Sequence, residues 1–338
     1  MSFVRVTGHQ RLMALLARVI VSDSLPPSLL FAGPRGVGKR RVATALAQTL
    51  NCLEPVQGDV FKTDACGHCA ACSRIGRGIH PDVLVVEPDD TGSIKIEQVR
   101  EVVDRAQYRP FEGRRRVVIV DEADAMMLQA QGVLLKILEE PPSASVFVLV
   151  SSTADSLLST VLSRCYRLRF GPLAVEEIVK MLMSDHGRTE REARALAVDA
   201  DGSLGRALAA DTVNVTEARS DSQKLLVEVA RESNPRKRLA AMKTLLGGKS
   251  TPAHEQREHL SVRLRILSSL LRDLGVLSAG ADLQILANTD LRVELEQLTG
   301  AYDHDRSTRA FGIVDGALSA LERKASPKIV ADWLVLRI

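Results

Sequence analysis

The stretch AGPRGVGKRR at residues 32–41 decides how the first part of this chain folds. Gly33, Gly38 and Lys39 have the spacing G-x-x-x-x-G-K, with Gly36 between them. In such a loop, backbone N–H groups close around phosphate oxygens and the lysine reaches the β and γ phosphates. The apolar segment SLLFAG precedes the loop, and KRRVATALAQTLNC follows it with helical spacing of apolar residues. The sequence therefore predicts a nucleotide-binding loop at a helix amino terminus, where the backbone favours anions.

One position of this loop departs from the usual pattern. A serine or threonine normally follows the lysine and coordinates Mg²⁺, but Arg40 stands there and its guanidinium cannot bind a cation. The segment VVIVDEAD at 117–124 predicts the second half of the site. There Asp121 would organise the Mg²⁺ shell and Glu122 would polarise water. We expect ATP or ADP with Mg²⁺ to bind weakly or without turnover.

Further apolar, β-branched segments lie at 82–88, 115–124 and 144–152, and helical patterns separate them. Strands that alternate with helices predict a parallel sheet covered on both faces, with the site at the carboxyl ends of the strands. Beyond Phe170 the strand pattern stops and helical patterns follow.

Three domains are expected from this change of pattern. They are an α/β nucleotide-binding domain at 1–170, a small helical domain at 171–210 and an all-helical domain at 211–338. A chain of 338 residues is too long for one ordinary core, which agrees with several domains.

Four cysteines form a candidate metal site. They are Cys52, Cys66, Cys69 and Cys72. Gaps of two residues let neighbouring thiolates turn onto one tetrahedral ion, and four thiolates give the closed shell of a structural zinc site. His68 is an alternative fourth ligand, although its place between two ligands makes that awkward. We predict a structural zinc module at about residues 52–72.

The composition argues against some modes of nucleic-acid binding. The net charge of +3 falls short of a strongly basic nucleic-acid binder, and 3% aromatic residues leave little material for base stacking. The arginines of RRR at 114–116 precede a strand, and we expect them to be solvated. The amino terminus has no secretory pattern and no apolar run reaches membrane-spanning length, so a cytoplasmic protein is expected.

Taken together, these motifs resemble the AAA+ clamp-loader subunits of bacterial DNA polymerase III. The resemblance spans roughly residues 5–210 and includes LLKILEEPP at 134–142 and TVLSRC at 160–165, after the motifs already described. It implies an α/β AAA+ domain with an inserted zinc module. A small helical lid domain and an all-α collar domain that mediates oligomerisation would follow.

The resemblance also implies roles for two arginines. Arg164 matches the arginine finger that the family's SRC motif supplies to the nucleotide of a neighbouring subunit. Arg206, in GSLGRAL, matches the second sensor, which contacts the nucleotide of its own subunit. The first sensor would lie near residues 151–154, but the Asp-Pro that often follows it is absent.

Arg40 and the altered first sensor, beside a retained Arg164, resemble the delta prime branch of the family. This branch acts as a stator that completes a neighbouring ATPase site and needs little or no turnover of its own. The implied partners are gamma/tau and delta subunits in a hetero-oligomeric ring, and through it the sliding clamp and primer-template DNA, without a membrane.

Two alternatives stay open. An ATP-hydrolysing gamma/tau motor subunit shares the zinc module and the SRC motif but expects serine or threonine after the lysine. A stand-alone DNA-dependent AAA+ ATPase of repair is the other, and the zinc module would need another role in it.

Overall fold

The computed structural model describes residues 2–58, 60–210, 212–231, 253–322 and 325–338. The chain divides into two compact units, Met1–Leu173 and Ala174–Ile338. Residues 232–252, which belong to the expected third domain, lie outside the described residues.

The first unit alternates strands and helices along the chain. Its strands are β1 (Ser28–Ala32), β2 (Val83–Val86), β3 (Arg116–Val120), β4 (Ser145–Ser151) and β5 (Tyr166–Arg169). Its α-helices are α1 (Gln10–Val21), α2 (Lys39–Asn51), α3 (Ala70–Gly76), α4 (Ile96–Ala106), α5 (Leu128–Glu139) and α6 (Ser159–Leu162).

These strands form one parallel sheet in the order β2-β3-β4-β1-β5. Ser28 of β1 lies opposite Phe147 of β4, and Leu29 lies opposite Tyr166 of β5. The carboxyl ends of parallel strands meet at one edge of the sheet. The glycine loop after β1 therefore lies at the same edge as the residues that follow β2, β3 and β4.

Helices cover both faces of the sheet, as the continuous apolar strands predict. Leu29 and Phe31 belong to a core with residues of α1 and α2, whereas Leu30 and Ala32 belong to a core with residues of α4 and α5. Every residue of β1, β3 and β4 is buried. A sheet buried on both sides needs such near-continuous apolar strands.

The second unit is helical in its described part. Its α-helices are α7 (Val175–His186), α8 (Glu190–Asp199), α9 (Leu204–Ala209), α10 (Thr212–Arg231), α11 (Ala253–Ser278), α12 (Arg292–Glu296), α13 (His304–Glu322) and α14 (Pro327–Arg337). No helix among the described residues joins enough length to enough apolar character to cross a membrane.

Long-range polar contacts join the helices of this unit. Arg265 of α11 donates to the buried carboxylate of Asp199 at the end of α8 over 3.0 Å. The hydroxyl of Tyr302 donates to the carbonyl of Leu226 in α10 over 3.2 Å. The finer separation of 171–210 from 211–338 stays a prediction.

Candidate nucleotide site and cysteine cluster

The glycine loop joins β1 to α2, and its conformation depends on glycine at two positions. Gly33 has φ +156°, and a Cβ there would lie 2.0 Å from the carbonyl oxygen of Phe170. Gly38 has φ +100° and caps the amino terminus of α2. A side chain at Gly33 has no room, and one at Gly38 would be strained by its left-handed backbone.

Lys39 begins helix α2 and turns back into the loop. Its Nζ donates to the carbonyl oxygens of Gly33 and Pro34, each over 2.6 Å, and only 6% of the residue is exposed. Burial lowers the pKa of Lys39, although the carboxylates of Asp124 and Asp121 oppose the shift. The ammonium thus lies inside the curve of the loop, where a phosphate-binding lysine is expected.

Asp121 and Glu122, which directly follow β3, are each paired with an arginine from the glycine loop or the first turn of α2. Arg40 Nη1 donates to Asp121 Oδ2 over 2.9 Å, and its Nη2 donates to Glu87, the residue after β2. Arg35 donates to Glu122. Partial burial works against the charge of Arg40, but Glu87 and Asp121 raise its pKa. The two carboxylates that the sequence assigns to Mg²⁺ and to water are therefore already paired with the chain's own Arg40 and Arg35.

A further acid connects this edge of the sheet to β4. Asp124 accepts a hydrogen bond from Ser152 N over 3.0 Å and from Ser152 Oγ over 2.8 Å. Burial works against the ionised form, but the hydrogen bonds from Ser152 lower the pKa of Asp124 below its usual value. Ser152, which lies where the first sensor is expected, therefore positions the carboxylate of Asp124 at this edge of the sheet.

Sequence reasoning missed three residues of this site, Glu87, Arg35 and Asp124. Glu87 follows an apolar strand, so the rule that carboxyl ends of parallel strands meet could have placed it beside Asp121. Arg35 carried no signal, because the x positions of the glycine pattern accept any residue.

Arg164 lies apart from the residues of the glycine loop in sequence, just after helix α6. Its Nη2 donates to Glu139 Oε1 over 2.5 Å and its Nη1 to the carbonyl of Thr160 over 2.9 Å. A third of its side chain is exposed. The guanidinium is thus oriented by its own chain and still open to solvent.

Arg206 belongs to the second unit. Its backbone N–H donates to Ser203 Oγ over 3.3 Å, which caps helix α9, and its side chain is exposed. The contact to nucleotide that the sequence suggested for Arg206 stays a prediction.

The four cysteines predicted from their spacing come together between α2 and α3. Their Sγ atoms all lie within 4.8 Å of one another. The Sγ atoms of Cys52 and Cys69 are 4.0 Å apart, close to the edge of about 3.8 Å in a tetrahedron with metal–sulfur bonds of about 2.3 Å. His68 is grouped with Cys66 and Glu54 only, and is exposed. Cys52 is therefore the better placed fourth ligand.

Backbone amides support the charge that such thiols carry on a metal. The N–H groups of Cys66, Cys69 and Cys72 donate to the sulfur of another cysteine over 3.3, 3.3 and 3.4 Å. Burial opposes ionisation of Cys69, but N–H and thiol donors lower its pKa to about 6. Burial raises the pKa of Cys52 and Cys72. Four soft ligands in a closed group can hold a metal ion.

The strand, glycine loop and helix, with acids at the end of the next strands, define an α/β fold of the AAA+ type. A family model described as "DNA polymerase III, delta subunit" matches residues 8–174. Over this region, which is just under half of the chain, the sequence is similar to clamp-loader subunits of bacterial DNA polymerase III.

Named relatives come from two branches of this family. DNA polymerase III subunit delta' of Bacillus subtilis is 35% identical over 208 residues, which are 62% of this chain and 57% of the relative. Subunit tau of Escherichia coli is 34% identical over 212 residues, 61% of this chain and 32% of the relative. The matched region thus spans about a third of one relative and somewhat more than half of the other.

Among solved structures, a DNA polymerase III gamma subunit-related protein of Thermotoga maritima is similar over 96% of this chain and 97% of its own length. Its identity to this chain is 16% and its TM-score is 0.39.

Proposed function

We propose that this chain is a delta prime-type stator of the bacterial clamp loader, which lends Arg164 to the nucleotide of a neighbouring subunit. The observation that carries the proposal is the pairing of Arg40 with Asp121 and of Arg35 with Glu122. A pocket whose two acids are held by arginines is poorly equipped to order Mg²⁺ and activate water. Turnover therefore belongs to the neighbour.

The proposed role of Arg164 rests on electrostatics. A guanidinium aimed at a γ-phosphate stabilises the charge of the transition state, an effect of about 10³–10⁵ in rate. Arg164 is held on its own chain by Glu139, and a third of its side chain is open to solvent. Such a side chain can reach a partner without refolding of its surroundings.

The rest of the assignment follows from the family. The partners are gamma/tau and delta subunits in a hetero-oligomeric ring, with the sliding clamp and primer-template DNA bound through the complex. The cysteine cluster holds a structural zinc ion, and Arg206 contacts nucleotide in the pocket of its own chain. The protein acts in the cytoplasm during DNA replication.

The test replaces Arg164 with alanine and measures ATP hydrolysis by the loader reconstituted with gamma/tau and delta subunits, clamp and primed DNA. Hydrolysis at the site that Arg164 serves should fall by about 10³ or more. Arg191→Ala, which removes an exposed arginine of α8, is the matched control and should leave the rate unchanged. Normal turnover with Arg164→Ala would refute the trans-acting role.

The gamma/tau motor is the second candidate, because relatives of that branch match at almost the same identity. Steady hydrolysis of ATP by the isolated chain, lost in a Lys39→Ala variant, would favour the motor. The stator predicts no such activity.

A further inference from the structure

The position of the Arg40 side chain also affects which ligands the pocket can bind. Its guanidinium lies between the carboxylates that follow β2 and β3, bonded to Glu87 and, over 2.9 Å, to Asp121. It begins in the first turn of α2, directly after the phosphate-binding Lys39. One side chain therefore spans from the loop to both strand ends.

A divalent cation in such a pocket takes two protein groups. One is the hydroxyl of the residue after the lysine, and the other is the acid at the end of the neighbouring strand. In this chain Arg40 replaces the first group and its positive head occupies the second, Asp121. A Mg²⁺ ion would have to displace the guanidinium and then lie beside it. The residues of this pocket do not fit Mg²⁺.

They do fit a phosphate group. A guanidinium has five N–H donors in a rigid fork, and it binds phosphate oxygens in pairs. The bonds to Glu87 and Asp121 use one donor on each terminal nitrogen, and half of the Arg40 side chain is exposed. Lys39 and the backbone of the loop supply the remaining positive field.

We propose that this pocket binds a nucleoside di- or triphosphate as the metal-free anion, with the Arg40 guanidinium in the place of the divalent cation. Glu87 and Asp121 hold the guanidinium from behind while its outer donors meet the phosphate. Binding in the pocket of this chain does not depend on the trans-acting role of Arg164.

The experiment is a titration of the purified full chain with fluorescently labelled ADP and ATP, in excess MgCl₂ and in a buffer freed of divalent cations before the protein is added, so that zinc on the cysteine cluster is not stripped by a chelator. For the natural chain the two Kd values should agree within about twofold, a difference of less than 0.5 kcal/mol. Arg40→Thr restores the hydroxyl and frees Asp121, so Mg²⁺ should tighten its binding by about tenfold or more.

Arg41→Thr is the matched control. It removes the same charge from the next position of α2, where the side chain is exposed and no ion pair is found among the described residues. Its binding should stay indifferent to Mg²⁺. Thermal melting of each variant shows that it is folded.

A second readout does not use affinity. Electron paramagnetic resonance of Mn²⁺ with unlabelled ADP should show no protein-dependent broadening for the natural chain and clear broadening for Arg40→Thr. Loss of binding without Mg²⁺, absence of any nucleotide binding, or an Arg40→Thr chain as indifferent to Mg²⁺ as the natural one would each overturn the proposal. An effect of Arg164→Ala on loader turnover would survive all three results.

Discussion

Replacement of Asp82 by asparagine should destabilise the first unit strongly, although Asp82 lies outside the nucleotide pocket. The side chain is fully buried just before β2. It accepts hydrogen bonds from the backbone N–H groups of Phe111, Glu112 and Gly113 over 2.7, 2.9 and 2.8 Å, and from Arg116 over 2.9 Å. One carboxylate thus fixes the loop before β3 and neutralises a buried arginine.

The size of the effect follows from the lowered pKa of Asp82 and from the cost of breaking a buried ion pair. Burial works against the ionised form of Asp82, but the four donors lower its pKa from 3.8 to about 2, which is worth about 2.5 kcal/mol. Removal of one partner of a buried ion pair costs about 3–5 kcal/mol. Arg116 keeps the carbonyl oxygens of Tyr108 and Arg109 as acceptors, which favours the lower end. We expect Asp82→Asn to cost about 3 kcal/mol at neutral pH.

The sign of the pH dependence follows from the lowered pKa. The contribution of Asp82 is complete above pH 3.8 and is lost as pH falls towards about 2, so the gap between variant and natural chain should narrow there. Urea unfolding followed by circular dichroism gives the stability, and hydrogen exchange of the amides of residues 111–113 gives the local effect.

Asp104→Asn, at an exposed position of α4, is the matched control and should change stability by less than about 0.5 kcal/mol. If Asp82→Asn behaves like this control, and its amides at 111–113 stay equally protected, the reasoning about the buried carboxylate is refuted.

Two further predictions concern the glycine loop and the cysteine cluster. Gly33→Ala should cost about 2 kcal/mol or more, because its Cβ meets the Phe170 carbonyl, whereas Gly132→Ala, in open space on α5, should raise the melting temperature. Metal analysis should find one zinc per chain, which Cys72→Ser loses and Cys165→Ser, outside the cluster, retains; equal zinc in both variants would contradict the assignment.

Much of the fold could be predicted because its central elements have strong local patterns. The segments around β1, β3 and β4 are continuous apolar runs, and the structure buries every residue of these strands. Strand β5 was missed, because only Leu168 of its four residues is buried and an edge strand with one inward residue shows no apolar run.

The arginines at 114–116 show where local pattern fails. The expectation that they are solvated is wrong for Arg116, which is 7% exposed and paired with Asp82. The sequence around Asp82 and the sequence around Arg116 do not predict this ion pair, because the pair forms only when β2 lies beside β3. For Cys66, Cys69 and Cys72, in contrast, the two-residue gaps predict that the sulfurs come together. The sequence left His68 open as an alternative to Cys52, and the structure places the Sγ of Cys52 with the other three.

The partners of the Arg40 guanidinium were also out of reach of the sequence. The sequence showed that Arg40 lacks the magnesium hydroxyl, but not that Asp121 and Glu87 would bind its side chain. This pairing forms only when the fold brings together Arg40, Glu87 and Asp121, which lie far apart along the chain.

The strand order also affects how the chain folds during synthesis. The ribosome makes β1 first, yet its two neighbours in the sheet are β4 and β5, at residues 145–151 and 166–169. At a synthesis rate of about 5–20 residues per second, the apolar strand β1 has no neighbouring strand to hydrogen-bond with for several seconds. A chain that stalls or is truncated before residue 145 would leave β1 without either of its neighbours in the sheet, and such an unpaired apolar strand is prone to aggregate.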